Sequence, residues 1–521
     1  MRRGATNGGS SARTFGGASG IPRILLVIVV LAVTLGLVVS RWPTKSLLLV
    51  AVVALAIGIV RSREFGLGAI LVTSLVMLSM ASWFGLPSQS LLVTTALIGL
   101  FALTVMLDLG HDNPLRVPVS LVILVVVLAI SVLAGVGNKI IGFYALAMFM
   151  AAPVAYVAIV HANLTLESLR RIGLIVIAII LAQAPIVVAQ AVAFASHVDQ
   201  MGGTFGLVGG THVQAVVMGF AWTIAVALLY GRRRIWLLPV GLVIAVVLLV
   251  SEAKAGFFFA ATGTIVVGLF QVIEDPRRKA SSLIGYGIIG AAAISVIFIA
   301  YAFAGSLLPG GEQMAASWAS WLRNPAAIRS YAFSYNSLGN ADRLESVRLV
   351  LIQPGTAADL LIGRGIGLLT RSALLGQAVI LSSASMAGAL SRATSAARSL
   401  YEIGLLGTAL YLVAVGSAAG AVVKAWEPVH DDLGIAVGAA AVGAAVIYAL
   451  SAFYMTSWIT DAVAVLFWCL MGMAVKWGHL RAAESEPSRD SSGSSGRRLQ
   501  VSGAEEHAEA SSGTDVGVAQ D

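Results

Sequence analysis

The sequence predicts an all-α, polytopic membrane protein with about 12–14 transmembrane helices and a long extracytoplasmic helical loop. Three observations predict it. Of the 521 residues, 58% are hydrophobic and only 11% are charged. Apolar runs of about 20 residues recur along the chain. Lys and Arg crowd into alternate loops between those runs. A hydrocarbon core of roughly 30 Å is crossed only by segments that satisfy their own backbone hydrogen bonds, so each run reads as a helix.

In order, the spans are 21–40, 46–60, 66–84, 90–107, 117–136, 139–160, 172–195, 212–230, 235–251, 255–273, 282–304, 400–422, 434–454 and 458–475. The second is short for a full crossing. The last two admit another division, because 454–458 is only a thin polar break. An even count places both termini on one side. With that side inside, the inner short loops hold Arg61, Arg63, Arg116, Arg170, Arg171, Arg232, Arg233, Arg234, Arg277, Arg278, Lys279 and Lys424. The outer short loops hold only Arg41, Lys45, Lys139 and Lys254. This asymmetry orients the chain with both termini in the cytoplasm.

The net charge of +8 then needs no nucleic acid, since most of the excess faces anionic headgroups at the inner surface of the bilayer. The expected organisation is a disordered N-terminus (1–20), helices 1–11 (21–304), an extracytoplasmic loop with short helices (305–397), helices 12–14 (398–476) and a disordered tail (477–521). The first span has no convincing cleavage site and reads as a retained helix. A single cysteine, Cys469, excludes an intrachain disulfide, a Cys-based zinc site and an iron–sulfur cluster. Phosphate-binding loops of the Walker type are missing, which argues against an ATP-driven pump. The outer loops carry no Asp-x-Asp or Asp-Asp pair, so no metal and no cofactor is expected.

Three unusual stretches fall on the outer side: 197–212 with its GGTFGLVGGTH run, the tight turn SEAKAG at 251–256, and the long loop. Each has a plain structural reading. Glycine clusters make turns, Lys254 can snorkel from a helix end, and His197 and His212 can be interfacial polar residues. The long loop carries more weight, because connections beyond about 15 residues are functional or disordered and this one is rich in Trp, Tyr and Phe. Leu344, Val347 and Leu351 recur at helical spacing, and 374–390 is apolar enough to lie on the membrane surface.

The loop's cations are Arg323, Arg329, Arg343, Arg348, Arg364, Arg371 and Arg392, against Glu312, Asp342, Glu345 and Asp359. All are Arg, whose rigid fork suits bidentate phosphate contacts and stays charged in low dielectric. A polyanionic ligand at the outer membrane surface follows. Internal pairing, as between Glu345 and Arg348 on one helix, is the structural alternative.

The ordered set over roughly residues 200–422 resembles the O-antigen ligase and polymerase superfamily of bacterial membrane glycosyltransferases. Members carry a GTFGN-like outer loop, a Ser-Arg-Gly-like turn, a G-R-L-x-x-W-like helix, a P-L-x-G-x-G-x-G-like turn and a Glu-x-Gly-x-x-Gly helix start. This chain has GGTFGLVGGTHVQA at 202, SEAKAG at 251, NADRLESVRLVL at 340, LLIGRGIGLL at 360 and SLYEIGLLGTALYL at 399. It departs from the ligases in having Arg392, Ala393, Thr394 and Ser395 where they present a His-Asn pair.

The resemblance implies a metal-independent glycosyltransferase of cell-envelope polysaccharide biosynthesis in the bacterial cytoplasmic membrane. Its partners would be the lipid bilayer, a polyprenyl-pyrophosphate-linked glycan and a sugar acceptor. It implies Arg343, Arg364 and Lys254 as catalytic residues and Arg348, Arg392, His212 and Thr204 as substrate-binding. His212, Asp199 and Glu402 are the candidates for a base, with Glu402 also readable as a first-turn carboxylate facing a helix dipole. Two other classes stand beside the enzyme. One is a transporter of lipid-linked glycan or another solute, for which Gln183, Gln190 and Asp461 are the few polar candidates in the spans; the other is a non-catalytic relative that binds the glycan lipid.

Overall fold

A computed structural model describes residues 43–77, 87–109, 117–135, 138–193, 202–205, 210–229, 234–251, 253–274, 343–352, 355–369, 393–429, 432–458 and 462–485, with isolated residues 285, 324, 326, 329 and 390. Among the described residues every regular element is helical. The expected span 21–40, the span 282–304 apart from residue 285, the surface stretch 374–389, the N-terminus 1–20 and the tail from 486 onward lie outside them; residues 477–485, expected as part of a disordered tail, are instead the helical end of the last span.

In chain order the helices are α1 (Pro43–Arg61), α2 (Arg63–Val72), α3 (Pro87–Asp108), α4 (Val119–Ala134), α5 (Lys139–His161), α6 (Leu166–Ala193), α7 (Gly210–Leu229), α8 (Leu237–Val250), α9 (Lys254–Glu274), α10 (Arg343–Ile352), α11 (Ala357–Ile362), α12 (Ser395–Trp426), α13 (Asp432–Ser451) and α14 (Ala462–Ser485). A π-helical turn, Thr73–Met77, extends α2. Seven of these helices, α5, α6, α7, α9, α12, α13 and α14, are long and apolar enough to cross a membrane, and shorter apolar stretches lie in α1, α3, α4 and α8. The chain is an all-α polytopic membrane protein.

Three expectations on boundaries are corrected. The second span is a full helix, because the polar Pro43, Thr44 and Lys45 that ended the apolar run at its start are wound into the first turn of α1. The thin polar break before the last span is wider: α13 stops at Ser451 and α14 starts at Ala462. The twelfth span starts at Ser395, five residues before its apolar run, because its first backbone N–H groups have acceptors across the bundle. Ser395 and Ala396 donate to the carbonyls of Met455 and Ala452 at 2.9 and 2.8 Å.

Burial separates core helices from lipid-facing ones. The run 463–469 in α14 is wholly buried, Cys469 included. By contrast α4 exposes Val119, Val122, Ile123, Val126, Ile130 and Leu133, the surface expected of a helix bathed in lipid. Around α14 pack α5, α12 and α13, and α13 also meets α7 and α9. Lipid tails give helices no hydrophobic reason to associate, so small residues that let backbones approach do that work. Gly443 of α13 and Gly263 of α9 both abut Thr223 of α7. Trp222 of α7 adds a hydrogen bond to Thr264 of α9 at 2.9 Å. Deeper in the bundle, Tyr411, Tyr448, Trp458 and Trp468 form one aromatic group, tied by Tyr411–Tyr448 and Trp468–Tyr411 hydrogen bonds of 2.8 and 3.3 Å.

Candidate functional site

One end of the bundle gathers the motifs that the sequence singled out. The turn 363–369, with its Gly-x-Gly-x-Gly pattern, is its centre. Gly363, Gly365 and Gly367 all have positive φ, of 79°, 115° and 98°, which side chains rarely tolerate. They also leave no room for one. A Cβ on Gly365 would stand 2.6 Å from the Cα of Gly135 at the end of α4, and one on Gly367 would meet the backbone of Gly142 in α5. The third partner is α12, which breaks its helical path at Gly404 (φ 68°) so that backbone can lie against backbone.

Hydrogen bonds lock this turn. Arg364 and Gly365 donate their backbone N–H groups to the carbonyls of Tyr401 and Glu402 at 3.0 and 2.9 Å. Glu402 is 5% exposed and accepts from Leu369 N at 2.7 Å and from Arg398 Nε at 3.3 Å. Ser131 of α4 bridges the two strands of chain, donating to the Glu402 carbonyl at 3.3 Å and accepting from Ile366 N at 3.2 Å. Glu402 therefore does not sit in the first turn of its helix facing a dipole. It lies seven residues inside α12 and holds the glycine turn. A small crevice beside it is lined by Phe149, Ile366, Ser395, Arg398, Ser399 and Trp458.

Arg343 begins α10 and reaches across to two other elements. Its Nη2 lies 3.2 Å from His212 Nε2 in the first turn of α7. Its guanidinium carbon stands 4.9 Å from the ring centroid of Tyr454, in the turn between α13 and α14. The His212 and Tyr454 rings are themselves 5.0 Å apart, and Phe259 of α9 meets the Tyr454 ring edge-on at 5.8 Å. Three elements distant in sequence thus meet at one guanidinium, and a fourth, α9, joins them through Tyr454. α10 is held there by Val350, which packs with Ala393, Ala397, Leu400 and Tyr401 of the α12 start.

The loop with Thr204 is clamped from below by two glutamines of α6. Gln190 accepts from Gly203 N at 2.8 Å and donates to Gly203 O at 3.0 Å. Gln183 accepts from Thr204 N at 2.9 Å and donates to Thr204 Oγ1 at 2.6 Å. Thr204 Oγ1 in turn donates to the Leu75 carbonyl in the π turn at 2.9 Å. Its hydroxyl is engaged by the scaffold rather than offered outward.

The other predicted residues divide. Lys254 opens α9, after a turn in which Ser251 hydrogen-bonds back to Val247 O at 2.7 Å. Arg348 pairs with both oxygens of Glu345 at 3.2 Å and is 59% exposed while that carboxylate is buried. Arg364 faces Asp359 at 3.4 Å and lies 5.2 Å from the Tyr401 ring. Asp359 doubles as a capping-box residue with Thr356 at the start of α11. Arg392, His197 and Asp199 lie outside the described residues.

Four contributors to the site were not assigned to it from the sequence. Arg398 falls just past the loop as drawn from the sequence, although its spacing of four from Glu402 was a legible pairing signal. Gln183 and Gln190, seven apart and so on one face of α6, were read as transport candidates. Tyr454 had no signal, since nothing local links it to Arg343. Among the described residues no three His, Cys, Asp or Glu side chains converge as a metal site requires. No protein-family model matches the chain, and no curated protein is similar enough to carry a function to it.

Proposed function

We propose that this protein transfers a glycan from a polyprenyl-pyrophosphate carrier to a sugar hydroxyl on the outer side of the cytoplasmic membrane, with both termini inside. The observation that carries the reading is the seating of Arg343. A guanidinium resting over an aromatic ring at one end of an apolar helix bundle suits recognition of an anionic headgroup, which supports the reading. The leaving group of such a donor is already a pyrophosphate, so the work left to the protein is charge stabilisation and positioning. Arg343 supplies the first, with Arg364 and Lys254 as further cations on the same end. The glycine turn, the glutamine-clamped loop and the head of α12 supply the second. The transport reading is weakened because Gln183 and Gln190 are committed to loop backbone.

The test is transfer of labelled glycan from a polyprenyl-pyrophosphate carrier by purified protein in nanodiscs. Arg343→Ala is expected to lower the rate about 10²- to 10³-fold, the usual effect of losing a group that stabilises developing negative charge. Arg364→Ala is expected to lower it less, since its pairing with Asp359 already serves the fold. Unchanged transfer in both folded variants would sink the arginine-centred reading.

A further inference from the structure

We infer that the crevice beside Glu402 is the binding site of one internal water molecule, held by the Glu402 carboxylate and the hydroxyls of Ser395 and Ser399, and that this water helps to hold the glycine turn. The inference stands apart from the transfer reading and does not depend on what the protein transfers.

The sequence puts the three groups in line. Ser395, Ser399 and Glu402 are spaced four and three apart near the start of α12, which sets them on one stripe of the helix. Opposite them stand Phe149 of α5, Ile366 of the glycine turn and Trp458 of the turn before α14, with Ile403 beside Glu402. Except for Arg398, whose side chain is 17% exposed, every residue of this lining is buried, and the space has room for about one water molecule. A sugar ring is far too large for it.

The polar groups of the lining have bonding capacity left over. An ionised carboxylate offers about four acceptor positions, and Glu402 uses them for Leu369 N at 2.7 Å and Arg398 Nε at 3.3 Å, one donor to each oxygen. Ser395 Oγ accepts from Trp458 N at 3.0 Å and still has its proton to give. The buried Ser399 hydroxyl has no hydrogen-bond partner among the described residues. Such capacity left unmet beside apolar walls is costly. One water meets it in three places, donating to Glu402 and accepting from Ser395 and Ser399, about the number of bonds usual for a buried water. Through Glu402 the water steadies the bond to Leu369 N, and through Ser395 it ties the head of α12 to the turn that carries Trp458.

The experiment uses full-length protein in nanodiscs and two readouts: an electron cryo-microscopy map sharp enough to show waters, and amide exchange of the 366–369 segment. Wild type is expected to show one water-sized density within hydrogen-bond reach of Glu402 and of Ser395 or Ser399. A well-defined crevice without that density, or with density larger than a water, overturns the inference. Ser399→Val puts a methyl group into the space and expels the water, so exchange of Leu369 N is expected to quicken roughly three- to tenfold, the effect of losing about one hydrogen bond. Were the crevice dry, the same substitution would fill it and remove an unpaired hydroxyl; exchange unchanged or slowed therefore overturns the inference. Ser399→Ala keeps the space and the Glu402 contact, so the water stays with one bond fewer and exchange is expected to fall between wild type and Ser399→Val. This milder variant covers the case in which valine disturbs the packing of α12, since exchange in Ser399→Ala no faster than in wild type overturns the inference as well.

Discussion

The two ends of the bundle use polar side chains in opposite ways. At the end predicted to face the cytoplasm, Arg63 of α2 pairs with Asp108 of α3 at 2.5 Å, and Arg171 of α6 reaches both Glu167 and Glu64. Asp108, Arg171 and Glu167 are all more than half exposed. Such pairs join neighbouring helix ends in water and are individually weak. At the other end Glu402, Gln183, Gln190 and Ser131 are buried, and most of their hydrogen bonds go to the backbone of two loops. A buried polar group is costly unless satisfied, so each is worth far more to the fold than a surface ion pair. The difference teaches that one end is merely closed, whereas the other is built to hold loops in fixed positions.

Three substitutions sharpen or break that contrast. The largest effect is expected from Glu402→Ala, which leaves Arg398 and Leu369 N without their carboxylate. Breaking a buried ion pair costs about 3–5 kcal/mol, read as a large fall in thermal midpoint in nanodiscs. Gln190→Ala strands the Gly203 N–H and C=O together and is expected to cost about 1–3 kcal/mol, with faster amide exchange confined to the 202–205 loop. Asp108→Asn at the other end is expected to cost at most about 1 kcal/mol, an effect that added salt should erase in wild type. A midpoint for Asp108→Asn as low as that for Glu402→Ala would abolish the distinction between the ends.

Much of the fold was legible because the bilayer imposes a rule that runs of apolar residues obey. Twelve of the fourteen expected spans fall on described helices. What was lost lay in polar segments. Residues 395–399 (SAARS) read as loop, and only the distant carbonyls of Ala452 and Met455 make them helix. That shift of five residues moved Glu402 from a helix start into the interior and changed its role. The site was half legible: Arg343, His212 and the glycine turn stood out by residue type and spacing. Tyr454 did not, because a contact between helix ends more than a hundred residues apart leaves no local trace.

The glutamine clamp has a mechanical side. Gln183 and Gln190 belong to α6, a helix of 28 residues whose Leu174, Ile175, Ile177, Leu181 and Val192 face outward. Its apolar part, 172–193, follows Glu167, Arg170 and Arg171 and at 1.5 Å per residue is about 33 Å long, close to a hydrocarbon core of roughly 30 Å. In a thinner bilayer a helix of this length would tilt. Because the 202–205 loop is fastened to α6 by four hydrogen bonds, it travels with that tilt. A change in membrane thickness that tilts α6 would thereby be felt by the 202–205 loop and, through Thr204, by the turn at Leu75.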